Sequence, residues 1–311
     1  MNLGLLYAIA ANLIWGLVFL GPIWVPGATP VQITGGRYTF YGVFALLCLV
    51  WVWRRTPLSQ AVIRNFRAWR SAAALALLGN FVYFLCVSAA VQSIGMVLPT
   101  MIVGMIPVTV PVIACIVSRR WPNGWFWMAL VLMAGGILLA NWRPLDGTPN
   151  ARGLLLAVMA LLCWSAYALL NQRAMRRYAP AQSLLWASLQ GAAGLPFGLM
   201  LFALAGGTAQ PHLAELLPVW LVLGVFCSGI ANVLWNLGSA RLPSTVLGPM
   251  IAFETLSGLF CAWLYDGKPW PMTAWFGAML LVTGVVLAVR GEKKPAAPAE
   301  AMSGMRAQPV G

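Results

Sequence analysis

The chain has 311 residues, of which 61% are hydrophobic and only 8% are charged, and its formal net charge is +13. A soluble domain carries about 25% charged residues, so this composition excludes a chain that water surrounds on all sides. The lysines and arginines lie mostly between long apolar segments, which argues against nucleic-acid binding and indicates a multi-pass membrane protein.

Ten apolar segments follow one another along the chain with short connections between them. A helix needs roughly 20 apolar residues to cross the bilayer. The apolar runs are continuous instead of alternating, which favours helices over a β-barrel. We therefore predict an all-α integral membrane protein with ten transmembrane helices. These spans, numbered one to ten in chain order, are expected near residues 3–21, 31–53, 71–92, 97–117, 125–141, 153–171, 182–205, 216–238, 246–265 and 273–290.

The second half of the chain repeats the first. The segment GLLYAIAANLIWGLVF near the N-terminus matches GLLLAVMALLCWSAYA in the middle of the chain, and Trp15 and Trp164 align at an offset of 149 residues. Each half contains five predicted spans, and an odd number places the second copy in the bilayer with the opposite orientation. We predict two inverted five-helix repeats around a central cavity, residues 1–148 and 149–291, followed by a disordered cytoplasmic tail, residues 292–311.

The basic residues indicate how the chain is oriented. Of the 19 lysines and arginines, 15 fall in connections on one side of the membrane, three fall on the other, and Arg37 lies inside span two. The positive-inside rule then predicts that both termini are cytoplasmic. The longest basic connection, RRTPLSQAVIRNFRAWR at residues 54–70, is predicted to lie on the inner membrane surface as an amphipathic stretch, with a solvated loop as the alternative.

Two ionisable residues, Arg37 in span two and Glu254 in span nine, lie well inside apolar segments. A charge within the membrane costs at least roughly 2.5 kcal/mol on insertion scales, so both residues are functional candidates. Three roles compete. The two side chains can form a structural ion pair, Glu254 can exchange a proton with the cavity, or the two can hold a zwitterion between them. In the last case Arg37 binds its carboxylate and Glu254 its ammonium group.

Polar and aromatic residues at helical spacing accompany the two charges. Asn80 and Tyr83 in span three are matched by Asn232 and Trp235 in span eight, each pair being three residues apart. This pattern predicts an aromatic-lined cavity that offers amides to the polar end of a substrate, and packing between helices is the alternative. The predicted substrate-binding residues are Arg37, Tyr38, Tyr41, Asn80, Tyr83, Trp164, Tyr167, Asn232, Trp235, Asn236 and Glu254, and Glu254 is also the candidate for proton coupling.

Helix-breaking residues occur in spans four and nine. A proline inside a helix removes a hydrogen-bond donor and displaces a carbonyl group of the preceding turn. Kinks at such positions can act as gates, or they can be static features of the packing. The predicted hinge residues are Pro99, Pro107, Pro111, Gly248 and Pro249. The glycine pairs Gly35–Gly36 and Gly135–Gly136 are predicted to allow close approach of helices.

These features together resemble one family. The repeat, the ten spans and the pattern G-L-L-x-A-x-x-x-x-x-x-W at both repeat starts are similar to the drug/metabolite transporter superfamily, in its ten-helix EamA-like branch. The stretch at residues 262–288 resembles the family's helix-nine-to-ten junction, with Asp266 as the usual acid and Gly277 and Gly284 as the glycines of helix ten. The resemblance implies a ten-helix basket with a central cavity in the bacterial inner membrane. Within the branch, the chain looks most like exporters of amino acids, including aromatic ones, and of other metabolites.

The expected function is export of small metabolites by alternating access, with amino acids that have aromatic or apolar side chains as the first candidates. A proton-coupled exporter of drugs or other metabolites is the alternative, followed by a passive channel. An enzyme is not expected, because the chain has one histidine, six acidic residues and no phosphate-binding loop. We expect no cofactor, no metal ion and no nucleic acid, and we expect a small-molecule substrate and the lipid bilayer as partners of a monomer.

Overall fold

The computed structural model describes residues 2–20, 24–25, 27–55, 57–94, 97–119, 121–141, 150–177, 182–205, 213–266 and 271–291. Within these ranges every regular element is helical. The helices are α1 (Asn2–Trp15), α2 (Pro30–Trp53), α3 (Pro57–Arg64), α4 (Phe66–Ala76), α5 (Tyr83–Ile94), α6 (Val97–Gly104), α7 (Ile106–Ser118), α8 (Gly124–Ala140), α9 (Ala151–Met175), α10 (Ser183–Ala205), α11 (Leu213–Leu221), α12 (Ala231–Ser239), α13 (Ser244–Met250), α14 (Ala252–Asp266) and α15 (Met272–Gly291). A 3₁₀ turn, Gly16–Leu20, follows α1, and wide π-type turns join α4 to α5 (Leu77–Val82) and α11 to α12 (Val222–Ile230).

Seven helical stretches of the described chain are long and apolar enough to cross a membrane. They are Val31–Trp53, Phe66–Val87, Leu98–Ser118, Ala151–Met175, Ser183–Ala205, Ala214–Ser239 and Met272–Gly291. The helices at Leu3–Val18 and Gly124–Ala140 are apolar but shorter, and the ninth predicted span is divided at Ile251. Each of the ten predicted segments therefore contains a helix, while ten crossings stay a prediction. The predicted tail, residues 292–311, lies outside the described residues.

The basic connection at residues 54–70 is largely helical. It contains the amphipathic helix α3, and the helix of span three begins at Phe66, earlier than the predicted residue 71. The cause is a local cap, because the side chain of Asn65 accepts a hydrogen bond of 3.0 Å from the backbone N–H of Arg67. The indole N–H of Trp69 donates to the carbonyl oxygen of Ile63 at 2.7 Å, which holds α3 against α4.

Most of the main helix contacts recur when the two halves of the chain are exchanged. Two pairs join equivalent helices, namely α2 with α10 and α8 with α15. Several of the other main helix contacts have a counterpart in which the two halves of the chain have exchanged roles. The contact of α1 with α12 is matched by α9 with α5, the contact of α1 with α14 is matched by α9 with α7, and the contact of α1 with α13 is matched by α9 with α6. The contact of α2 with the turn Val222–Ile230 is matched by α10 with α4. Such reciprocity is what a pseudo-twofold axis between two repeats produces.

The contact between α8 and α15 shows this reciprocity at the level of atoms. A Cβ atom added to Gly136 would lie 2.7 Å from the carbonyl oxygen of Gly277 and 2.8 Å from the backbone N of Leu281. A Cβ atom on Gly284 would lie 2.8 Å from the carbonyl oxygen of Ala129 and 3.1 Å from the backbone N of Met133. These contacts correspond to one another at the repeat offset of 148 residues. The two helices therefore touch backbone to backbone at both glycines.

The prediction that the pairs Gly35–Gly36 and Gly135–Gly136 allow close approach of helices is confirmed only in part. Gly35 and Gly36 are closely packed, against the backbone of Phe202 and the ring of Trp220. Gly136 is closely packed as well, but a Cβ atom on Gly135 would have no neighbour within 4 Å. The prediction was therefore wrong for Gly135, because this residue lies on the side of α8 that faces away from α15.

Candidate functional site

Spans four and nine are interrupted at matching positions in the two halves. In span four, α6 ends at Gly104 and α7 begins at Ile106, and in span nine, α13 ends at Met250 and α14 begins at Ala252. The segments before the breaks have 8 and 7 residues. Because α7 packs against α13, the two interrupted spans are also neighbours in space. Each break is a single residue in right-handed conformation, Met105 or Ile251, whose N–H donates to the carbonyl oxygen three residues earlier, so the helix tightens there for one turn.

The five predicted hinge residues lie in these interrupted spans, and all of them are buried. Pro107 occupies the first turn of α7, where a missing N–H is tolerated, and Pro111 lies inside that helix. A Cβ atom added to Gly248 would lie 2.7 Å from Cδ of Pro111, so the helix-breaking residues of the two spans pack directly against each other. Their role as moving hinges stays a prediction.

Glu254 lies in the first turn of α14, immediately after the break in span nine. Its backbone N–H donates to the carbonyl oxygen of Ile251 at 2.9 Å, which starts the new helix. The carboxyl group interacts electrostatically with Arg37, Tyr83 and Cys227. The break therefore places the acid among side chains from spans two, three and eight, where it remains partly exposed.

Arg37 is held by span eight and by aromatic rings. Only 7% of its surface is exposed. Its Nε donates to the hydroxyl oxygen of Ser228 at 2.9 Å, and Cζ lies 5.2 Å from the ring centroid of Tyr38 and 5.6 Å from that of Phe84. Ring faces stabilise a guanidinium cation at these distances. Within the described residues no ion pair closer than 4.0 Å joins Arg37 to Glu254. The two charges therefore lie in one region without direct pairing.

Three tryptophans form the centre of the molecule. The ring centroids of Trp15 and Trp164 are 5.9 Å apart, those of Trp15 and Trp235 are 5.4 Å apart, and those of Trp164 and Trp235 are 5.8 Å apart. Tyr167 extends the cluster at 5.9 Å from Trp164. The repeat-related pair Trp15 and Trp164 therefore meets across the two halves. The indole N–H of Trp15 donates to the carbonyl oxygen of Cys227 at 2.7 Å.

A hydrogen-bonded network extends from this cluster between spans six, seven and eight. The single hydroxyl proton of Tyr167 is shared between two amide oxygens, Oδ1 of Asn232 at 3.2 Å and Oε1 of Gln190 at 3.3 Å. The side-chain amide of Asn171 is a second point at which several hydrogen bonds of this network meet. Oδ1 of Asn171 accepts from Trp186 and from Gln190, each at 2.8 Å, while Nδ2 donates to Asn236 at 2.8 Å. Buried amides that share hydrogen bonds across helices fix the relative positions of those helices, and in this network Nδ2 of Asn236 has no partner among the described residues.

The predicted substrate-binding residues thus fall into two groups. The partly exposed group is Asn80, Tyr83 and Glu254, and the buried group is Arg37, Tyr38, Tyr41, Trp164, Tyr167, Asn232, Trp235 and Asn236. Electrostatic interactions connect Tyr83 to Glu254, Arg37 and Tyr38. Within the buried group, bonds and ring contacts link Tyr167 to Asn232, Trp164 and, through Trp164, Trp235. Tyr41 donates to the carbonyl oxygen of Ala187 at 2.7 Å.

Sequence analysis missed several members of this region. Asn171 and Gln190 are buried and bonded to the predicted residues Asn236 and Tyr167, and the buried Trp186 donates to Asn171. A signal was present, because Asn171 follows Tyr167 by four residues and Gln190 follows Trp186 by four, so each pair lies on one helix face. Trp15 was aligned with Trp164 in the repeat, yet its contact with Trp164 and Trp235 depends on the packing of three spans.

Comparison with known proteins places this architecture in a family. The model of the EamA-like transporter family matches residues 2–142 and 151–290. The chain belongs to the EamA-like transporter family. It is 33% identical over 317 residues to the inner membrane protein YtfF of Escherichia coli K12, which covers 95% of this chain and 97% of that protein.

Two more distant similarities have narrower coverage. The threonine/homoserine exporter RhtA of E. coli K12 is 25% identical over 190 residues, covering 60% of this chain and 62% of RhtA. A probable 4-amino-4-deoxy-L-arabinose-phosphoundecaprenol flippase subunit, ArnE of Salmonella enteritidis, is 32% identical over 71 residues, which are 23% of this chain and 64% of ArnE.

The fold also occurs in a solved structure. A crystal structure with 18% sequence identity superimposes with a TM-score of 0.73 and covers 92% of this chain and 98% of its own. As an EamA-like transporter, the chain is a multi-pass membrane protein of a bacterial inner-membrane transporter family. This confirms the resemblance noted in the sequence, and it confirms transport across a membrane as the general activity.

Proposed function

We propose that the chain is a secondary exporter of small metabolites that works by alternating access, with ten spans arranged as two inverted five-helix repeats and both termini in the cytoplasm. The observation that carries the proposal is the matched interruption of spans four and nine, with Glu254 in the first turn after the second break. Carriers with inverted repeats form their substrate sites from interrupted helices near the middle of the membrane. The reciprocal contacts of Gly136 and Gly284 support the same symmetry.

The proposed substrates are amino acids with aromatic or apolar side chains. The Arg37–Ser228 bond uses Nε, and within the described chain the terminal nitrogens Nη1 and Nη2 have no hydrogen bond, so they can bind a carboxylate as a fork. Glu254 is partly exposed and can receive an ammonium group. The tryptophan cluster supplies ring faces for an apolar or flat side chain. Similarity to a threonine/homoserine exporter supports amino acids as the substrate class.

Proton coupling through Glu254 is the second candidate for the driving mechanism. The observation in its favour is that Glu254 is a partly exposed residue whose carboxyl group interacts with Arg37 without being paired to it. An acid in that position can take up a proton from water when the substrate leaves. The substrate gradient alone is the simpler driving force, and transport experiments distinguish the two.

The decisive experiment measures counterflow with purified protein in proteoliposomes. The panel contains phenylalanine, tryptophan, leucine, threonine and lysine together with the cationic dye ethidium. We expect saturable counterflow that is strongest for the aromatic and apolar amino acids. Preferential transport of ethidium would replace the amino-acid proposal with the multidrug alternative, and unsaturable flux with electrical conductance would indicate a channel.

Two matched pairs of variants test the site. Glu254→Gln and Arg37→Gln are expected to abolish counterflow, because each removes the charge that binds one end of a zwitterion. Glu215→Gln and Arg241→Gln make the same changes at exposed positions and are expected to leave it unchanged. Elution profiles and thermal unfolding of all four variants separate lost transport from lost folding. Normal counterflow in both site variants would refute the zwitterion site.

Proton coupling has its own test. If Glu254 exchanges the proton, flux in the wild-type protein depends on pH and flux in Glu254→Gln does not. An identical pH profile in the two proteins would exclude this role.

The cytoplasmic position of the C-terminus can be tested with a fusion. A green fluorescent protein fused to the C-terminus is expected to fluoresce, because it folds in the cytoplasm and not after export in unfolded form.

A further inference from the structure

A shallow groove of about 580 Å³, open to the outside, lies along one face of α4 and of the residue that follows it, away from the central site. It is lined by Arg67, Arg70, Ser71, Ala73, Ala74 and Leu77. Positions 67, 70, 71 and 74 lie on one stripe of a helix, so the groove is polar at one end and apolar at the other. Arg67, Arg70, Ser71 and Ala74 are all exposed. The groove therefore has a basic mouth and an apolar floor.

The position of the groove matches the boundary between lipid headgroups and acyl chains. The candidate span that contains it runs from Phe66 to Val87, so the two arginines lie at the end of the span. At 1.5 Å per residue, Leu77 lies about 10 Å farther along the helix axis than Arg70. The basic mouth is thus at headgroup level and the apolar floor is at the level of the first acyl carbons.

The side chains around the mouth are typical of a membrane surface. Phe66 is 72% exposed and Leu58 on α3 is 59% exposed. The guanidinium carbon of Arg70 lies 6.0 Å from the ring centroid of Phe66, and that of Arg64 lies 5.2 Å from the ring of Trp53. Exposed apolar and aromatic residues beside basic ones are the features by which a helix binds the interfacial region of a bilayer.

The arginines of the groove have no acidic neighbour in the surrounding sequence. The first acidic residue of the sequence is Asp146, so the whole region from residue 54 to residue 77 contains no carboxylate of its own. A phosphate oxygen is the anion that a guanidinium binds best, by two parallel N–H donors. The hydroxyl of Ser71 lies one turn after Arg67 and can donate a further bond to the same group.

We propose that this groove is a binding site for one anionic glycerophospholipid. Its phosphate contacts Arg67 and Arg70, and the upper part of one acyl chain lies against Ala74 and Leu77. The site is separate from the transport pathway and is independent of the proposed substrate.

The test uses the full-length protein purified in a mild detergent, with native mass spectrometry to count bound lipid. Dioleoyl-phosphatidylglycerol and dioleoyl-phosphatidylcholine are added at equal concentration. We expect the wild-type protein to retain the anionic lipid preferentially. In the double variant R67Q/R70Q this preference is expected to fall about tenfold or more, because each arginine near an anionic headgroup contributes appreciably. The matched control R54Q/R55Q removes two arginines from the same connection and is expected to keep the preference.

Two further measurements distinguish a lipid site from general attraction of anions. Ala74→Trp fills the apolar floor without changing any charge and is expected to release the lipid, since residue 74 is exposed and tolerates a large side chain. Glycerol phosphate at millimolar concentration is expected to leave the lipid bound. The proposal is overturned if R54Q/R55Q loses as much lipid as R67Q/R70Q, if Ala74→Trp has no effect, or if glycerol phosphate displaces the lipid completely.

Discussion

Neighbouring glycines in α8 provide a sharp test of the pseudo-twofold packing. Gly136 lies against the backbone of α15, whereas a Cβ atom on Gly135 meets nothing within 4 Å. Alanine at either position adds the same methyl group to the same helix and gains the same helical propensity. The difference in stability between Gly136→Ala and Gly135→Ala therefore reports only on the contact between α8 and α15.

The expected size follows from the distances. A Cβ atom on Gly136 would lie 2.7 Å from a carbonyl oxygen and 2.8 Å from a backbone N, where ordinary contacts begin at 3.4 Å. The two backbones must separate by about 0.6 Å, and overpacking of this kind costs about 1–3 kcal/mol. For a chain of this size we expect Gly136→Ala to lower the Tm by about 2–5 °C, and Gly135→Ala to leave it unchanged or slightly higher.

Thermal unfolding of the purified variants in detergent, followed by tryptophan fluorescence, measures these shifts. Gly284→Ala completes the set, because its Cβ atom would meet Met133 and the carbonyl oxygen of Ala129 at 2.5 and 2.8 Å. If the two contacts are equivalent, Gly284→Ala lowers the Tm by about as much as Gly136→Ala. Equal Tm values for Gly135→Ala and Gly136→Ala, or a neutral Gly284→Ala, would refute the reciprocal packing.

Two further predictions concern the interior. Gly16→Ala places a Cβ atom 2.2 Å from Oγ of Ser257, so we expect it to reduce both the Tm and the transport rate, and Ser257→Gly to restore part of the loss in the double variant. Independent, additive effects would contradict this contact. Trp186→Phe removes an indole that donates to Asn171, and Trp235→Phe removes one with no partner among the described residues. We expect the first to cost about 1 kcal/mol more in unfolding free energy than the second, and equal costs would contradict it.

The positions of the helices could be predicted because a continuous run of apolar residues is enough to identify a membrane span. Each predicted segment contains a helix, and the repeat at Trp15 and Trp164 correctly aligned two residues that meet in space. The limits of span three were wrong because arginines near Phe66 look like a loop, whereas the cap by Asn65 extends the helix into the basic connection. Composition identifies the apolar part of a helix and not its capped end.

The contacts within the site could be predicted only in part, because they depend on which helix faces meet. Gly135 and Gly136 are indistinguishable in the sequence, and only the orientation of α8 toward α15 separates them. The network around Asn171 similarly requires spans six, seven and eight to converge. The locations of the prolines indicated interruptions in spans four and nine, but not that Pro111 would pack against Gly248.

The scaffold is symmetric, but the groups that can bind a ligand are not. The turn after the break in span nine carries Glu254, whereas the equivalent turn of span four contains Ile106, Pro107 and Val108. Arg37 in span two aligns, at the repeat offset of 149 residues, with Trp186 in span seven. In the proposed alternating-access cycle, such a scaffold would let the two halves exchange conformations at little cost in packing. Charges supplied by one copy only would hold a zwitterion in a single orientation throughout that exchange, so moving the acid from residue 254 to residue 108 would be expected to disrupt binding without disrupting the fold.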